Sequence, residues 1–253
     1  MMFAARTASR HFCGVFSTVV LLGLAAARAD NATTPADRWP RHEREILGWR
    51  VLISQPLVDE HPAATEQALT LLMAQLEEII RAVPADAVAK LKQVPLYLSP
   101  AYDGFGPKAE YHPAAGWLRE HGRDPAMEKA VEFTNVLIFA EETRRMPNFT
   151  LHELAHAYHD RELAQGFGNP DVIAAFERAR AAGTYDRVER QDAEGRRTTH
   201  RAYALTNPQE YFAETTEAYF SRNDFFPFCR EELASHDPHA CRMLRSVWGC
   251  REQ

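Results

Sequence analysis

Cysteine is scarce in this sequence. Of four residues, Cys13 lies near the start, and Cys229, Cys241 and Cys250 cluster at the far end with spacings that fit no common zinc-finger pattern. In an oxidising compartment two of them could pair, most simply Cys229 with Cys241, leaving one thiol over. Positive charge is also in short supply: 29 Lys and Arg stand against 35 Asp and Glu, a net charge of −6. A balance this acidic offers no electrostatic footprint for nucleic acid or an anionic membrane. The apolar run Cys13–Ala27 is too short to span a bilayer comfortably. Internal repeats and low-complexity runs are absent.

The first 29 residues read as a secretory signal. Arg6 and Arg10 precede the apolar run, and Ala27-Arg28-Ala29 is an A-x-A cleavage site. Cleavage there leaves 224 residues starting at Asp30, takes away three arginines and no acid, and carries the net charge to −9. The expected product is secreted, extracellular or periplasmic, with no stable membrane insertion after cleavage. A polar arm over 30–45, with Pro35 and Pro40, precedes one domain over 46–253, long enough for a sizeable core.

Within that domain, Trp49–Ser54 reads as a first strand. Leu69, Leu72, Met73, Leu76, Ile79 and Ile80 recur at three and four, which predicts an amphipathic helix over 65–83, ended before Pro84. Val94–Ser99 predicts a second strand, its proline marking an edge or a start. Residues 100–125 read as irregular structure or a short hairpin, with His112 and His121 as loop histidines. The apolar run Glu132–Phe139 predicts a third strand. Asn169-Pro170 and Gly183 bracket a helix, Asp192–Gly195 marks a turn, and Asn207-Pro208 opens another helix running to about Arg222. A last short helix is expected over 238–248.

The chemistry centres on His152-Glu153-Leu154-Ala155-His156. On a helix, positions four apart share a face about 6 Å apart along the axis, so both imidazoles can bind one zinc ion with Glu153 beside it to handle a proton. Thr150 and Glu153 also match a capping box, which would occupy the glutamate. Pro147 and Asn148 can start the helix a turn earlier and leave it free.

Catalytic zinc takes three protein ligands and keeps a position open. Glu162 sits where an extended H-E-x-x-H-x-x-G-x-x-H pattern puts its last ligand, but His159 replaces the glycine that turns the chain. A continuing helix carries Glu162 about 15 Å along the axis from His152, which rules it out. Glu210, Glu214 and Glu217 share one face of the helix opened by Asn207-Pro208, and Tyr211, Phe212 and Tyr219 imply that much of it is buried. A buried acidic stripe needs a cation. Glu210 is favoured over Glu214 as the third ligand, with Glu214 left to hydrogen-bond a ligand histidine from behind.

HELAH together with Tyr203-Ala-Leu-Thr-Asn-Pro-Gln-Glu-Tyr-Phe-Ala-Glu214 resembles the catalytic domain of anthrax lethal factor and its bacterial relatives, zinc metallopeptidases of the gluzincin group. The close likeness covers about a fifth of the chain after the signal. It implies His152, His156 and Glu210 as zinc ligands, Glu153 as general base, and Tyr203 as a residue that stabilises the transition state. It also implies an α+β zincin-like fold: a small mixed sheet packed on the active-site helix, followed by a mainly helical C-terminal part. In such folds an extended substrate pairs with the sheet's edge strand, for which Phe133–Phe139 is the candidate.

The expected activity is that of a zinc metalloendopeptidase acting on a peptide or protein substrate through a zinc-activated water. A secreted binding module with a structural or vestigial zinc site competes with it, as does a zinc hydrolase of a non-peptide substrate. His159 and His200 read as surface histidines that could also face the cleft.

Overall fold

The computed structural model describes residues 39–250. The signal peptide expected over 1–29 and the start of the arm therefore lie outside the described residues. The rest of that arm is ordered sheet: β1 (Arg41–Ile46) pairs antiparallel with β2 (Trp49–Ser54) through a tight turn. β2 is buried almost throughout, as its run of apolar residues predicts, while β1 is largely exposed. Two short helices, α1 (Gln55–Glu60) and α3 (Ala85–Leu91), flank the long amphipathic α2 (Pro62–Ala82). Its buried stripe of Leu69, Leu72, Leu76 and Ile79 seats it on the core, as the three-and-four spacing requires.

β3 (Leu96–Leu98) runs parallel to β2, and Pro95 precedes it, so the proline marks a strand start rather than an edge. The stretch that follows contains a three-residue strand, β4 (Ala109–Tyr111), and helix α4 (Ala115–Glu120). β5 (Val131–Phe133) pairs parallel with β3 and antiparallel with β4, which gives a mixed five-stranded sheet in the order β1-β2-β3-β5-β4.

The long strand expected at 132–139 is therefore corrected. Pairing stops at Phe133, residues 136–138 form a 3₁₀ turn, and Phe139 begins helix α5 (Phe139–Arg145). Leu137 is 59% exposed, which no buried strand would allow in its middle. β5 is an inner strand, so the free edge beside the helices is β4.

The remaining chain is mainly helical, interrupted by one hairpin. α6 (Phe149–Glu162) carries the histidine motif, and α7 (Pro170–Ala182) has the bounds its caps predict: Asn169 accepts from the Asp171 and Val172 N–H groups, and Gly183 takes φ +68°. β6 (Val188–Gln191) and β7 (Arg197–His200) form the hairpin around the Asp192–Gly195 turn. α8 (Pro208–Phe220), α9 (Arg230–His236) and α10 (Pro238–Val247) complete the domain. The architecture is α+β.

α6 makes its most extensive helix contact with α8 and also touches α2, α3 and β4. Trp248 closes this packing from the C-terminal side, stacked on Tyr158 at 4.0 Å between centroids and donating its indole N–H to Thr216 Oγ1 at 3.2 Å. Cys229, Cys241 and Cys250 are free thiols, so the Cys229–Cys241 pairing is not formed. No helix among the described residues is long and apolar enough to cross a membrane.

Candidate metal centre

α6 begins at Asn148, whose Oδ1 accepts from the Leu151 N–H at 3.0 Å, while its Nδ2 donates to Gln75 O and Glu78 Oε2 on α2. This cap sits before Thr150, and the Thr150 hydroxyl is bonded to Gln75 Oε1 instead. The capping box never forms, and Glu153 is free for other work. Leu151, Leu154, Ala155 and Tyr158 face the core, which turns His152, Glu153 and His156 towards a cavity of about 560 Å³.

The second half of the centre comes from α8. Asn207 Oδ1 accepts from the Glu210 N–H at 2.8 Å, Pro208 follows, and the first helical turn thereby fixes Glu210 against α6. Three donor atoms converge: His152 Nε2 lies 3.2 Å from Glu210 Oε2 and 3.2 Å from His156 Nε2, and His156 Nε2 lies 3.4 Å from Glu210 Oε2. Ligand atoms held tetrahedrally at about 2.0–2.1 Å from a zinc ion stand roughly 3.3–3.4 Å apart, so this donor set fits one. Burial opposes charge on Glu210, yet hydrogen bonds and charge from His152 and His156 hold its carboxyl well below the usual carboxylate range.

Behind His152 lie two more carboxylates, buried to 3% and 0% exposure: Glu214 Oε1 is 3.8 Å from His152 Nδ1, and Glu217 Oε1 is 3.5 Å away. Both Glu217 oxygens and His152 Nδ1 are buried without a hydrogen-bond partner. Burial, with Glu217 and Asp224 adding to it, pushes the Glu214 carboxyl well up, and burial pushes Glu217 up to about 7. Such a stack of buried acids around one imidazole is the arrangement a bound cation relieves. Glu214 also accepts from Asn223 Nδ2, so Glu217 is the nearer and less committed partner of His152. Its place on the same helix face as Glu210 was readable from the seven-residue spacing, although the contact itself was not.

Glu153 Oε2 accepts from the Tyr111 backbone N–H at 2.8 Å, which ties α6 to β4. Tyr203 stands in the 3₁₀ turn ahead of α8 and lines the same cavity, 47% exposed. Partial burial and the neighbouring Glu210 charge raise its phenol, which keeps it protonated at neutral pH. Glu162 points elsewhere, to Lys90 Nζ at 3.3 Å.

The other histidines are corrected or sorted by their surroundings. His159 is neither at the surface nor in the cleft: it is fully buried between Phe167 and Phe212. His112 is buried on the other face of the sheet, bonded to the buried Glu132, which also accepts from Tyr102 and Arg123. His200 is exposed on β7, bonded to Thr198. Sequence patterns offered no signal for a further group on the cavity wall, Arg145, Arg190 and Asp224, because these residues come from three separate elements.

Residues 131–248 match the model of the glucose-regulated metallo-peptidase M90 family, a stretch that holds α6, Tyr203 and α8. No curated protein matches the chain. Among solved structures, the Pro-Pro endopeptidase PPEP-2 from Paenibacillus alvei is similar at 18% identity and a TM-score of 0.42, over 72% of this chain and 90% of that one. The family match supports a metallopeptidase acting on a peptide or protein substrate, and it does not single out the relatives of lethal factor.

Proposed function

We propose that this chain is a secreted zinc metalloendopeptidase. The observation that carries the proposal is the convergence of His152, His156 and Glu210 at 3.2–3.4 Å, with Glu153 beside them in a cavity under a free sheet edge. Secretion rests on the signal-like first 29 residues, and the endopeptidase assignment on the open cavity along β4.

His152, His156 and Glu210 would hold the zinc. Zinc, when bound, supplies Lewis acidity, lowering the pKa of a bound water and polarising the scissile carbonyl. Glu153 takes the proton of the attacking water and passes it to the leaving amine. Tyr203 donates a hydrogen bond from its phenol to the oxyanion and keeps its proton.

The substrate lies along β4. Lys108 and His112 spend their backbone groups on Thr134, Ala130 and Lys129 on the β5 side. In an antiparallel ladder the alternate residues, Ala109 and Tyr111, turn their backbone groups outward; Glu153 Oε2 holds the Tyr111 N–H, which leaves the Ala109 N–H and C=O and the Tyr111 C=O. An extended peptide can pair there.

A peptide-library digest with wild type and Glu153→Gln in parallel tests the proposal. Cleavage by wild type alone supports it. Zinc bound at one equivalent with no cleavage of any peptide would overturn it in favour of a binding module.

A further inference from the structure

Part of the catalytic cavity wall has no role in the hydrolysis described above. Arg145 from the end of α5, Arg190 from β6 and Asp224 from the segment after α8 meet there. Asp224 is 2% exposed, and its Oδ2 accepts from Arg145 Nη1 at 3.0 Å and from Arg190 Nε at 3.0 Å. Arg145 spends its other terminal nitrogen on Glu142 at 2.6 Å. Arg190 donates to Asp224 through Nε alone, and its two terminal nitrogens have no hydrogen-bond partner among the described residues.

That guanidinium is held in place before anything binds. It lies over the Phe225 ring at 4.8 Å. The strand beneath it is fastened to the same segment by the Arg190–Phe225 bridge, by Gln191 N–H to Asp224 O at 2.8 Å and by Phe226 N–H to Glu189 O at 2.8 Å. A side chain already fixed at its Nε loses little further freedom when its outer nitrogens are engaged. Met146, Phe149 and Phe225 supply apolar lining to the same cavity. The result is an amphipathic pocket with preorganised donors.

On this part of the wall Arg145 and Arg190 are matched by Glu142 and Asp224, and Arg190's outer donors are left uncommitted, in a cavity that the unpartnered Asn135 Oδ1 also lines. A planar group that only accepts hydrogen bonds fits that fork best, which describes a carboxylate.

We propose that Arg190 is a specificity-determining residue that binds a substrate carboxylate, either an Asp or Glu side chain near the scissile bond or a free C-terminus. Asp224 is the positioning residue that aims it. The proposal names the substrate class of the site described above and rests on the peptidase reading.

Three peptides of one parent sequence test it: an internal Glu with an amidated C-terminus, the same peptide with Gln in place of Glu, and the Gln peptide with a free C-terminal carboxylate. Cleavage and equilibrium binding of all three are measured on the zinc-loaded wild type and on Arg190→Gln, whose fold and zinc content are checked by thermal melting and metal analysis. Wild type is expected to favour one of the carboxylate peptides over the uncharged one by roughly ten- to a hundredfold in kcat/KM, carried mainly by KM. Which carboxylate peptide wins identifies the source. Arg190→Gln is expected to bring that ratio close to one, and Arg190→Lys to restore only part of it, because a point charge lacks the fork.

Cleavage without preference, or a preference that survives Arg190→Gln, overturns the inference and leaves the peptidase reading standing. Carboxylate-selective, Arg190-dependent binding without cleavage does the opposite. Failure of the carboxylate peptides to bind at all overturns the inference as well.

Discussion

The backbone N–H of Tyr111 donates to Glu153 Oε2 at 2.8 Å, so the sheet's free edge holds the residue that sits beside the proposed metal ligands. One contact thereby fixes the proposed base relative to the strand along which the substrate is proposed to lie. Glu153→Gln keeps an acceptor for this N–H and removes the proton carrier. The variant is expected to fold, to bind zinc as wild type does, and to lose about 10²–10⁴-fold in kcat. Steady-state kinetics alongside metal analysis check this. A variant that loses zinc together with activity would mean that Glu153 acts in assembling the site.

Glu210 and Glu162 stand on opposite sides of the question of the third ligand. Glu210 shares contacts of 3.2 and 3.4 Å with the two imidazoles, whereas Glu162 pairs with Lys90. Glu210→Ala is expected to abolish stoichiometric zinc binding, and Glu162→Ala to leave it intact. Loss of the Glu162–Lys90 pair is expected to change stability by less than about 1 kcal/mol. Chelator competition followed by zinc quantification decides between them. Normal zinc content in Glu210→Ala would sink the ligand assignment.

Glu217 lies 3.5 Å from His152 Nδ1 with neither oxygen otherwise bonded, while Glu214 lies 3.8 Å away and is already engaged by Asn223. A carboxylate behind a metal-binding histidine fixes its ring and raises its basicity. Glu217→Gln is expected to weaken zinc affinity by roughly 10–100-fold, more than Glu214→Gln does. Competition titrations against a calibrated zinc chelator measure both. The reverse order would return the role to Glu214.

Tyr203 is 47% exposed, and removing its hydroxyl disturbs no packing. Tyr203→Phe is expected to lower kcat by up to about 10²–10³-fold with little change in KM, as for loss of one oxyanion donor. A rise in KM with kcat intact would make Tyr203 a substrate contact instead.

How much of this was legible in the sequence depends on whether the signal was local. Asn169, Pro170 and Gly183 mark α7 to the residue, and Asn207-Pro208 marks the start of α8, because caps act within one helical turn. HELAH gave two candidate ligands and a candidate base by helical spacing, and the acidic face of α8 gave Glu210 as the candidate third ligand. The run Val136-Leu137-Ile138-Phe139 misled because an apolar stretch of that length is compatible with a strand or a helix start. Tertiary packing decided for a turn and then α5, leaving Leu137 in solvent. β4 is three residues inside a loop-like stretch and exists through pairing with β5, which no local pattern encodes. The Arg145–Asp224–Arg190 cluster is non-local in the same way.

His159 shows the same limit and yields a test of its own. The polar residues around it in sequence suggest a surface position, yet it is fully buried against Phe212 and Phe167, with both ring nitrogens lacking a partner. Burial, reinforced by the nearby His156, pushes its imidazole down to about 4 from an ordinary value of 6.5. Between those values the unfolded chain binds a proton that the folded chain refuses. Stability therefore rises with pH across this window: His159 costs nothing above about pH 7 and destabilises progressively as pH falls towards 4. The full penalty is roughly 3 kcal/mol. His159→Leu removes the titrating group, so its stability is expected to gain on that of wild type steadily from pH 7 to pH 4. Urea denaturation of both metal-free chains at half-unit pH steps measures the gap, and the protonation of the other groups, common to both chains, cancels in the difference. Parallel stability curves would show that His159 accepts a proton inside the fold as readily as in the unfolded chain.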